Sequence, residues 1–472
     1  MTIQIYIKDS KMKPIINSAY KLMHDGCVAL SQVEANGIRI DTDYLENAIR
    51  RTSNRIKNLT QEIKGHKIYR RWRKQYGSKT NLGSREQLGK ILFDVMKYDC
   101  PSRTATGRPQ ADEDALKSTG LKFVDSYLQL EKLKKAKSTY LQGILRETTD
   151  GFLHPNFPLH FVQSYRGSSD HPNFQNIPIK DPEFAKLIRR AFLARRNHQI
   201  VELDFKGAEI CSTTCYHKDP MMIKYIENPK LDLHRDMGAE CYMVKKSQVT
   251  WGIRDCGKNR FVFAEFYGDW YKTRAVSLWK GIEEMNLKIE ETGVDLYTHL
   301  KSKGITGLGA CDYDEKPERG TFEKHIQEVE YDFWNRRFKV YNQWKKDWYN
   351  EYLRKGYFEM LTGFVVEGFY DRKQVINYAP QGTAFHWLLW SLIRIQRLLN
   401  KYKMKSLIVG QIHDSIVGDI HRKERKDYLE IAKQVIFEDI RKHWKWINVP
   451  LIVEAEVAPV GGSWYEKEEV KI

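Results

Sequence analysis

Gln199-Ile200-Val201-Glu202-Leu203-Asp204-Phe205 and Ile408-Val409-Gly410-Gln411-Ile412-His413-Asp414-Ser415 each carry an apolar alternation that ends on an aspartate. Alternation of this kind predicts β-strands, with Asp204 and Asp414 at strand ends. Between them lies a helix-like run carrying Arg254, Lys258, Tyr267 and Gly268. Arg254 and Lys258 are four residues apart, so they share a helical face and can both grip phosphate oxygens. Two carboxylates facing a basic helix are the minimum equipment for metal-assisted transfer of a nucleotide from a triphosphate. Magnesium is usually held by one or two protein carboxylates, with phosphates and waters completing its octahedron. In a two-metal site one ion activates the attacking oxygen and the other stabilises the leaving group of an in-line displacement.

The second stretch adds geometry. Residues 407–412 and 416–420 read as two strands with His413 and Asp414 at the turn. A two-residue hairpin turn normally prefers Asn-Gly, Asp-Gly or a Gly pair, and a turn that breaks its local rule is where function is expected. A strand-end carboxylate taken singly is more often structural; the surrounding residues give these two their meaning.

Composition points the same way with less force. The 472 residues favour more than one compact unit. The 78 basic and 61 acidic residues leave a formal charge of +17, which suits a polyanionic partner because neutralised phosphates release counterions. No run of 18 or more apolar residues occurs, so no membrane partner is expected. Met1 to Asp9 lacks a signal-peptide core. Seven cysteines, an odd number spread along the chain, suit reduced thiols in a cytoplasmic compartment. Cys211, Cys215 and His217 match no zinc spacing and are expected to pack on a helix.

Seven blocks, in order, resemble the family A DNA polymerases, and the likeness runs from about residue 14 to the C-terminus. Val201-Glu202-Leu203-Asp204-Phe205-Lys206-Gly207-Ala208-Glu209 is similar to motif A. Arg254, Lys258, Phe263, Tyr267 and Gly268 resemble motif B, and His413-Asp414 resembles motif C. Arg166 followed by Pro172-Asn173-Phe174-Gln175-Asn176-Ile177-Pro178 is a rare pattern of the same family. Ile188-Arg189-Arg190-Ala191-Phe192, Asp232-Leu233-His234 and Asn377-Tyr378-Ala379-Pro380-Gln381-Gly382-Thr383-Ala384 complete the set.

The resemblance implies an α+β right-hand polymerase with a helical thumb, an antiparallel-sheet palm and helical fingers. The expected boundaries are a lead at 1–13, thumb and base at 14–165, palm at 166–217, fingers at 218–355 with an insertion at 292–320, and palm again at 356–472. The lead holds one alternating strand at residues 3–7. Helices are expected at 14–30 and from Thr42, with a turn at 35–41 between them, and 322–355 reads as one helix with an aromatic packing face. Residues 81–93 resemble the family's thumb segment, and the insertion reads as a surface loop.

The implied function is a template-directed DNA polymerase, a nucleotidyltransferase of the phage or bacterial type, that extends a primer 3′ end with dNTPs, its role in replication, repair or lesion bypass left open. Two Mg2+ ions, or Mn2+ in their place, are the implied cofactors, held by Asp204, Asp414 and Phe205. Arg254 and Lys258 join the two aspartates as catalytic residues, and Glu209, His234, Phe263, Tyr267 and Phe205 bind the nucleotide. Glu209 and Tyr267 crowd the 2′ position of the incoming sugar. Arg166, Asn173, Gln175, Lys180, Asn377, Gln381, His413, Lys134 and Lys137 are the implied primer and template contacts. Arg166 and Gln381 reach the minor-groove side of the new pair, which presents nearly the same acceptors for every pair. The basic runs at 70–76 and 132–137 suit phosphate contact without sequence reading. With only about 13 residues ahead of the thumb, no proofreading domain is expected, and a separate exonuclease or processivity protein is a further implied partner.

Two departures are specific to this chain. Ser415 stands where the family usually has a glutamate, and Lys258 to Tyr267 is nine residues where the family has eight. An added residue turns a helix by about 100°, so a π-bulge is expected within Asn259-Arg260-Phe261-Val262, with Phe261 packing away from the pocket. The alternatives are a single-subunit RNA polymerase, whose motif C also tends to read His-Asp-Ser, and an inactive DNA-binding or tethering protein with the same fold.

Overall fold

The computed structural model describes residues 14–104, 106–179 and 181–471; Lys180 and the strand expected at residues 3–7 lie outside them. The two apolar stretches form the centre of a five-stranded antiparallel sheet. Its strands are β1 (His198–Phe205), β2 (Leu407–Ile412), β3 (Ser415–His421), β4 (Val453–Val457) and β5 (Glu468–Val470), in the order β5-β4-β1-β3-β2. β1 is buried on both faces along most of its length, which explains why its apolar residues outnumber those of a half-exposed strand. The register sets Leu203 opposite Ile416 and Asp204 opposite Ser415. A slip of one residue would send every side chain to the other face, so the buried faces fix this pairing.

One hydrophobic core surrounds the sheet. It draws in the helices Pro14–Asn36, Ala208–His217 and Arg372–Lys401 through residues such as Leu30, Val33, Cys215, Trp387 and Leu392. Residues of the stretches 19–48 and 141–159 belong to this core, so parts of the region expected as thumb and base pack with the sheet. A second core, built between Met222 and Tyr341, holds the helical region that carries Arg254 and Lys258. A third, from Ile63 to Leu130, encloses Trp72 and Tyr127 in a helical unit. Mixed helices and antiparallel sheets of this kind make the fold the expected α+β right-hand architecture.

Several local expectations are corrected. The first helix continues to Asn36, and Ile38–Ile40 is a strand where a turn was expected. Apolar pairing explains the difference, since Ile38 and Ile40 are buried between the strands Phe152–Leu153 and Phe192–Leu193. Asp41 then caps Thr42–Gly65 by accepting from the Tyr44 N–H at 2.9 Å. The 292–320 insertion is not a simple surface loop: it contains the helix Leu296–Ser302, and Leu296, Leu300 and Ile305 are buried in the second core. Residues 322–355 form two helices, Phe322–Asp332 and Lys339–Lys355, separated by a widened turn at Phe333–Arg337 and a break at Phe338. Phe322, Ile326, Phe333 and Trp334 form the expected packing face. Among the described residues no helix is long and apolar enough to cross a membrane.

Candidate active site

The sheet places the two aspartates side by side. Ile412 pairs with Ser415 across a two-residue turn, in which His413 has φ +46°. That left-handed conformation is unfavourable for a side chain larger than glycine. The turn is tied to β1, since the Phe205 N–H donates to the Asp414 carbonyl at 3.0 Å. The Ser415 hydroxyl donates to Asp204 Oδ1 at 2.7 Å. Glu202 has the same strand parity as Asp204 but is neutralised, for it accepts from Lys467 Nζ at 2.5 Å and from the Trp464 indole at 2.8 Å. Among the described residues Asp204 has no such cation.

Burial pushes the Asp414 carboxyl up to about 6; Arg166 opposes the rise, while Glu209 and Asp204 add to it. Arg166 stands between the acids, 3.5 Å from Glu209 and 3.8 Å from Asp414. Crowded hard oxygen donors short of positive charge fit a divalent cation. Among the described residues no group of three or more His, Cys, Asp or Glu side chains is arranged as a metal cage, so substrate and water oxygens would have to complete the coordination. The Phe205 side chain is buried in the main core, which leaves its main-chain carbonyl, and not its ring, for any metal or nucleotide role.

The basic helix contains the expected irregularity. Regular turns at Trp251–Cys256 and Phe263–Phe266 flank a wide turn at Gly257–Val262, where the Phe263 N–H donates to the Lys258 carbonyl five residues back. Phe261 faces away, against Phe333 at a centroid distance of 5.5 Å and beneath the Arg274 guanidinium. Phe263 consequently stays on the face of Lys258, whose ammonium lies 5.6 Å from its ring centroid. Gly257 allows this helix to approach Leu233–Cys241 closely, because a Cβ there would lie 2.4 Å from the His234 carbonyl. His234 meets Phe263 edge to face at 5.8 Å. Burial, reinforced by Arg254 and Lys258, holds its imidazole down at about 4, so it is neutral at pH 7. Arg254 pairs with Asp232 at 2.6 Å.

Helix and sheet meet across a cavity of about 450 Å3. Arg166, Glu209, Phe263, Tyr267, His413 and Asp414 line it, together with Asn377 and Gln381, which project one turn apart from Arg372–Lys401. The Tyr267 hydroxyl donates to Glu209 Oε2 at 2.6 Å, closing one wall. Phe266 also reaches the cavity, but its ring packs on Phe333, Trp334 and Tyr341. Gln175 and Asn173 serve the framework as well. The Asn173 side chain accepts from the Asn176 N–H at 3.1 Å, and the Gln175 amide donates to Gln411 at 2.8 Å. Lys134 and Lys137 lie far along the chain on Lys122–Lys135 and the wide turn that follows it, and neither lines the cavity. Cys211 and Cys215 are buried, and His217 stacks on Tyr341 at 4.1 Å, as packing residues would.

Two residues with clear roles here went unassigned from the sequence. Gln411, 2% exposed, links Gln175 to the His413 carbonyl, to which it donates at 2.6 Å. Ser415 holds Asp204. The signal for Gln411 was present, a polar residue within an otherwise apolar strand. Tyr341, which also lines the cavity, comes from a helix remote in sequence that carries no local sign of the site.

A family model described as DNA polymerase family A matches residues 42–284. DNA polymerase I of Bacillus subtilis is 25% identical over 445 residues, covering 93% of this chain and 44% of that protein. The DNA polymerase of Bacillus phage SP01 is 24% identical over 510 residues, covering 94% of this chain and 50% of that one. Thermostable DNA polymerase I of Thermus aquaticus is 24% identical over 459 residues, covering 93% and 47%. The chain spans about half the length of these curated relatives. A solved structure of the POL domain of Pol1 from M. smegmatis, in complex with DNA primer-template and dNTP, superposes with a TM-score of 0.72 at 20% identity. The match covers 94% of this chain and 70% of that one.

Proposed function

Because the chain belongs to DNA polymerase family A, we propose that it is a template-directed DNA polymerase extending a primer 3′ end with deoxynucleoside triphosphates. The observation that carries this reading is the meeting, across one cavity, of Asp414, beside the strand end of Asp204, with Phe263 and Tyr267 from the helical run that also bears Arg254 and Lys258, while Asp204, Arg254 and Lys258 themselves lie outside the cavity lining. Asp204, Asp414 and the Phe205 carbonyl would hold Mg2+, or Mn2+. When bound, the metal supplies Lewis-acid activation of the attacking oxygen and charge stabilisation at the leaving phosphate. Arg254 and Lys258 grip the triphosphate, positioning it in line and neutralising charge that develops on its oxygens. Tyr267 and Phe263 present rings to the nucleoside, and Asn377, Gln381 and Arg166 meet the primer-template. The +17 charge supports a nucleic-acid partner. Primer extension with and without Mg2+, using both nucleotide types, tests the reading. Metal-dependent extension with dNTPs is expected; RNA synthesis instead, or no synthesis, would overturn it.

The Tyr267–Glu209 hydrogen bond favours the deoxynucleotide reading over the RNA polymerase alternative, because it fixes a carboxylate and a phenol as one wall beside the sugar. Glu209→Ala should relax discrimination against ribonucleotides and slow turnover, since the freed Tyr267 loses its position. Single-nucleotide kinetics with dNTP and rNTP pairs checks this, and unchanged discrimination would remove the role. Tyr267→Ala should raise the KM for dNTP and reduce fidelity. Phe266→Ala, by contrast, should mainly destabilise the helical region by about 3–5 kcal/mol, because its ring is committed to Phe333, Trp334 and Tyr341. Loss of fidelity in the Phe266 variant alone would reverse these assignments.

A further inference from the structure

The two carboxylates of the site are held in different ways. Asp414 faces the Arg166 guanidinium at 3.8 Å. Asp204, among the described residues, has a single side-chain hydrogen-bond partner, the Ser415 hydroxyl at 2.7 Å. Ser415 is 5% exposed and lies directly opposite Asp204 in the β1–β3 register. One residue along, the Phe205 N–H donates to the Asp414 carbonyl. Two adjacent cross-strand links therefore fix the aspartates relative to each other, one through side chains and one through the main chain.

We propose that Ser415 is a positioning residue that pre-orients the Asp204 carboxylate for a divalent cation; this rests on the polymerase reading above. A hydroxyl is suited to the task because it brings one donor and no charge. It occupies one lone-pair direction of Oδ1 and leaves Oδ2 free for a cation. A lysine or arginine in its place would compete with the metal. A carboxylate there would press a further negative charge on Asp204 and Asp414, beside Glu209, which already shares the Arg166 guanidinium with Asp414. The turn contributes to the same end, since the left-handed His413 returns the chain so that position 415 starts β3 facing Asp204.

A fixed carboxylate binds a cation without first losing rotamer freedom, and a hydrogen bond to a charged group is among the stronger kinds. Ser415→Ala should therefore raise the Mg2+ concentration for half-maximal extension about tenfold and slow single-turnover extension by a similar factor. Affinity for primer-template should stay within about twofold. Ser415→Thr keeps the hydroxyl and should restore near-normal metal dependence. The readout independent of turnover is Mn2+ binding to the full-length protein followed by electron paramagnetic resonance, which should weaken in Ser415→Ala and recover in Ser415→Thr. Ser415→Cys, nearly isosteric with a poorer donor, should fall between them and serves if the alanine variant folds badly. Thermal melts of all variants run alongside. A melt that drops while Mg2+ and Mn2+ dependence stay at the wild-type level would reduce Ser415 to a structural role and overturn the proposal. So would failure of threonine to rescue. If wild type itself extends no primer, it is the polymerase reading that fails, and the Mn2+ titration still decides whether Ser415 orients a cation ligand.

Discussion

Asp204→Ala and Asp414→Ala are each expected to abolish primer extension, with a fall of at least about 10³-fold, while affinity for primer-template DNA persists. Neither side chain supports a core. Among the described residues the Asp204 side chain accepts one hydrogen bond, from Ser415, and Asp414 is held loosely by Arg166 at 3.8 Å. The folding cost of removing either is accordingly small, and for Asp414 truncation even relieves a buried carboxyl that burial has pushed up to about 6. What each variant loses is a hard oxygen donor at a site that has few. With no group of three or more metal-ligating side chains among the described residues, the remaining aspartate cannot hold cations in register with a triphosphate. Loss of transition-state charge stabilisation of this kind commonly costs about 3–4 kcal/mol per removed group, and more when a metal is lost with it. Single-turnover extension and a DNA-binding titration on the same preparations check both halves. Near-normal rates in either variant would remove the metal assignment, and loss of DNA binding together with a collapsed melt would show the residue to be structural.

Arg274→Ala should cost about 3–5 kcal/mol of stability. Arg274 is fully buried, its guanidinium 2.9 Å from Glu265 and bonded also to Glu330. It lies over the Phe261 ring, the residue that the wide turn directs away from the cavity. Burial pushes the carboxyls of Glu265 and Glu330 up, and Arg274 is the main influence drawing both down. Without it, two buried carboxyls must either stay charged with no counter-ion or take up protons on folding. A carboxyl whose folded pKa lies above its unfolded value loses stability as pH rises toward the folded value. The deficit of Arg274→Ala relative to wild type should therefore be smaller at pH 5 than at pH 8. Adding Glu265→Gln to the alanine variant should recover part of the loss, because the amide needs no counter-charge and can still accept from the Trp334 indole, which donates to Glu265 at 2.6 Å. Denaturant unfolding at the two pH values measures all three variants. A change under about 1 kcal/mol for Arg274→Ala would mean that the cluster contributes nothing net. Since Glu265 lies two residues before Tyr267, which caps the end of its helix, a loosened cluster should also raise the KM for dNTP.

The strands β1 to β3, the hairpin of β2 with β3 and the location of Asp204 and Asp414 at strand ends were legible in the chain. Period-two apolarity is a local property, and a slipped register would expose the whole buried face. The wide turn after Lys258 was legible too, because beside the eight-residue spacing of the family this chain has one residue too many between Lys258 and Phe263, and only a local bulge returns Phe263 to its face. The paired positions of Arg254 and Lys258 follow from the same periodicity. Tertiary packing decided what local pattern could not. The strand Ile38–Ile40 exists because Phe152–Leu153 and Phe192–Leu193 pair with it, and the insertion folds inward because Leu296, Leu300 and Ile305 find a core built by distant helices. Tyr341 lines the cavity, Ser415 holds Asp204 and Arg274 joins Glu265 to Glu330, and each of these pairings depends on segments far apart in sequence being brought within hydrogen-bonding or van der Waals reach. Periodicity determined which residues face inward; which residues they meet there depended on the three-dimensional path of the whole chain, since contact energies act over a few ångströms and carry no record in the local sequence.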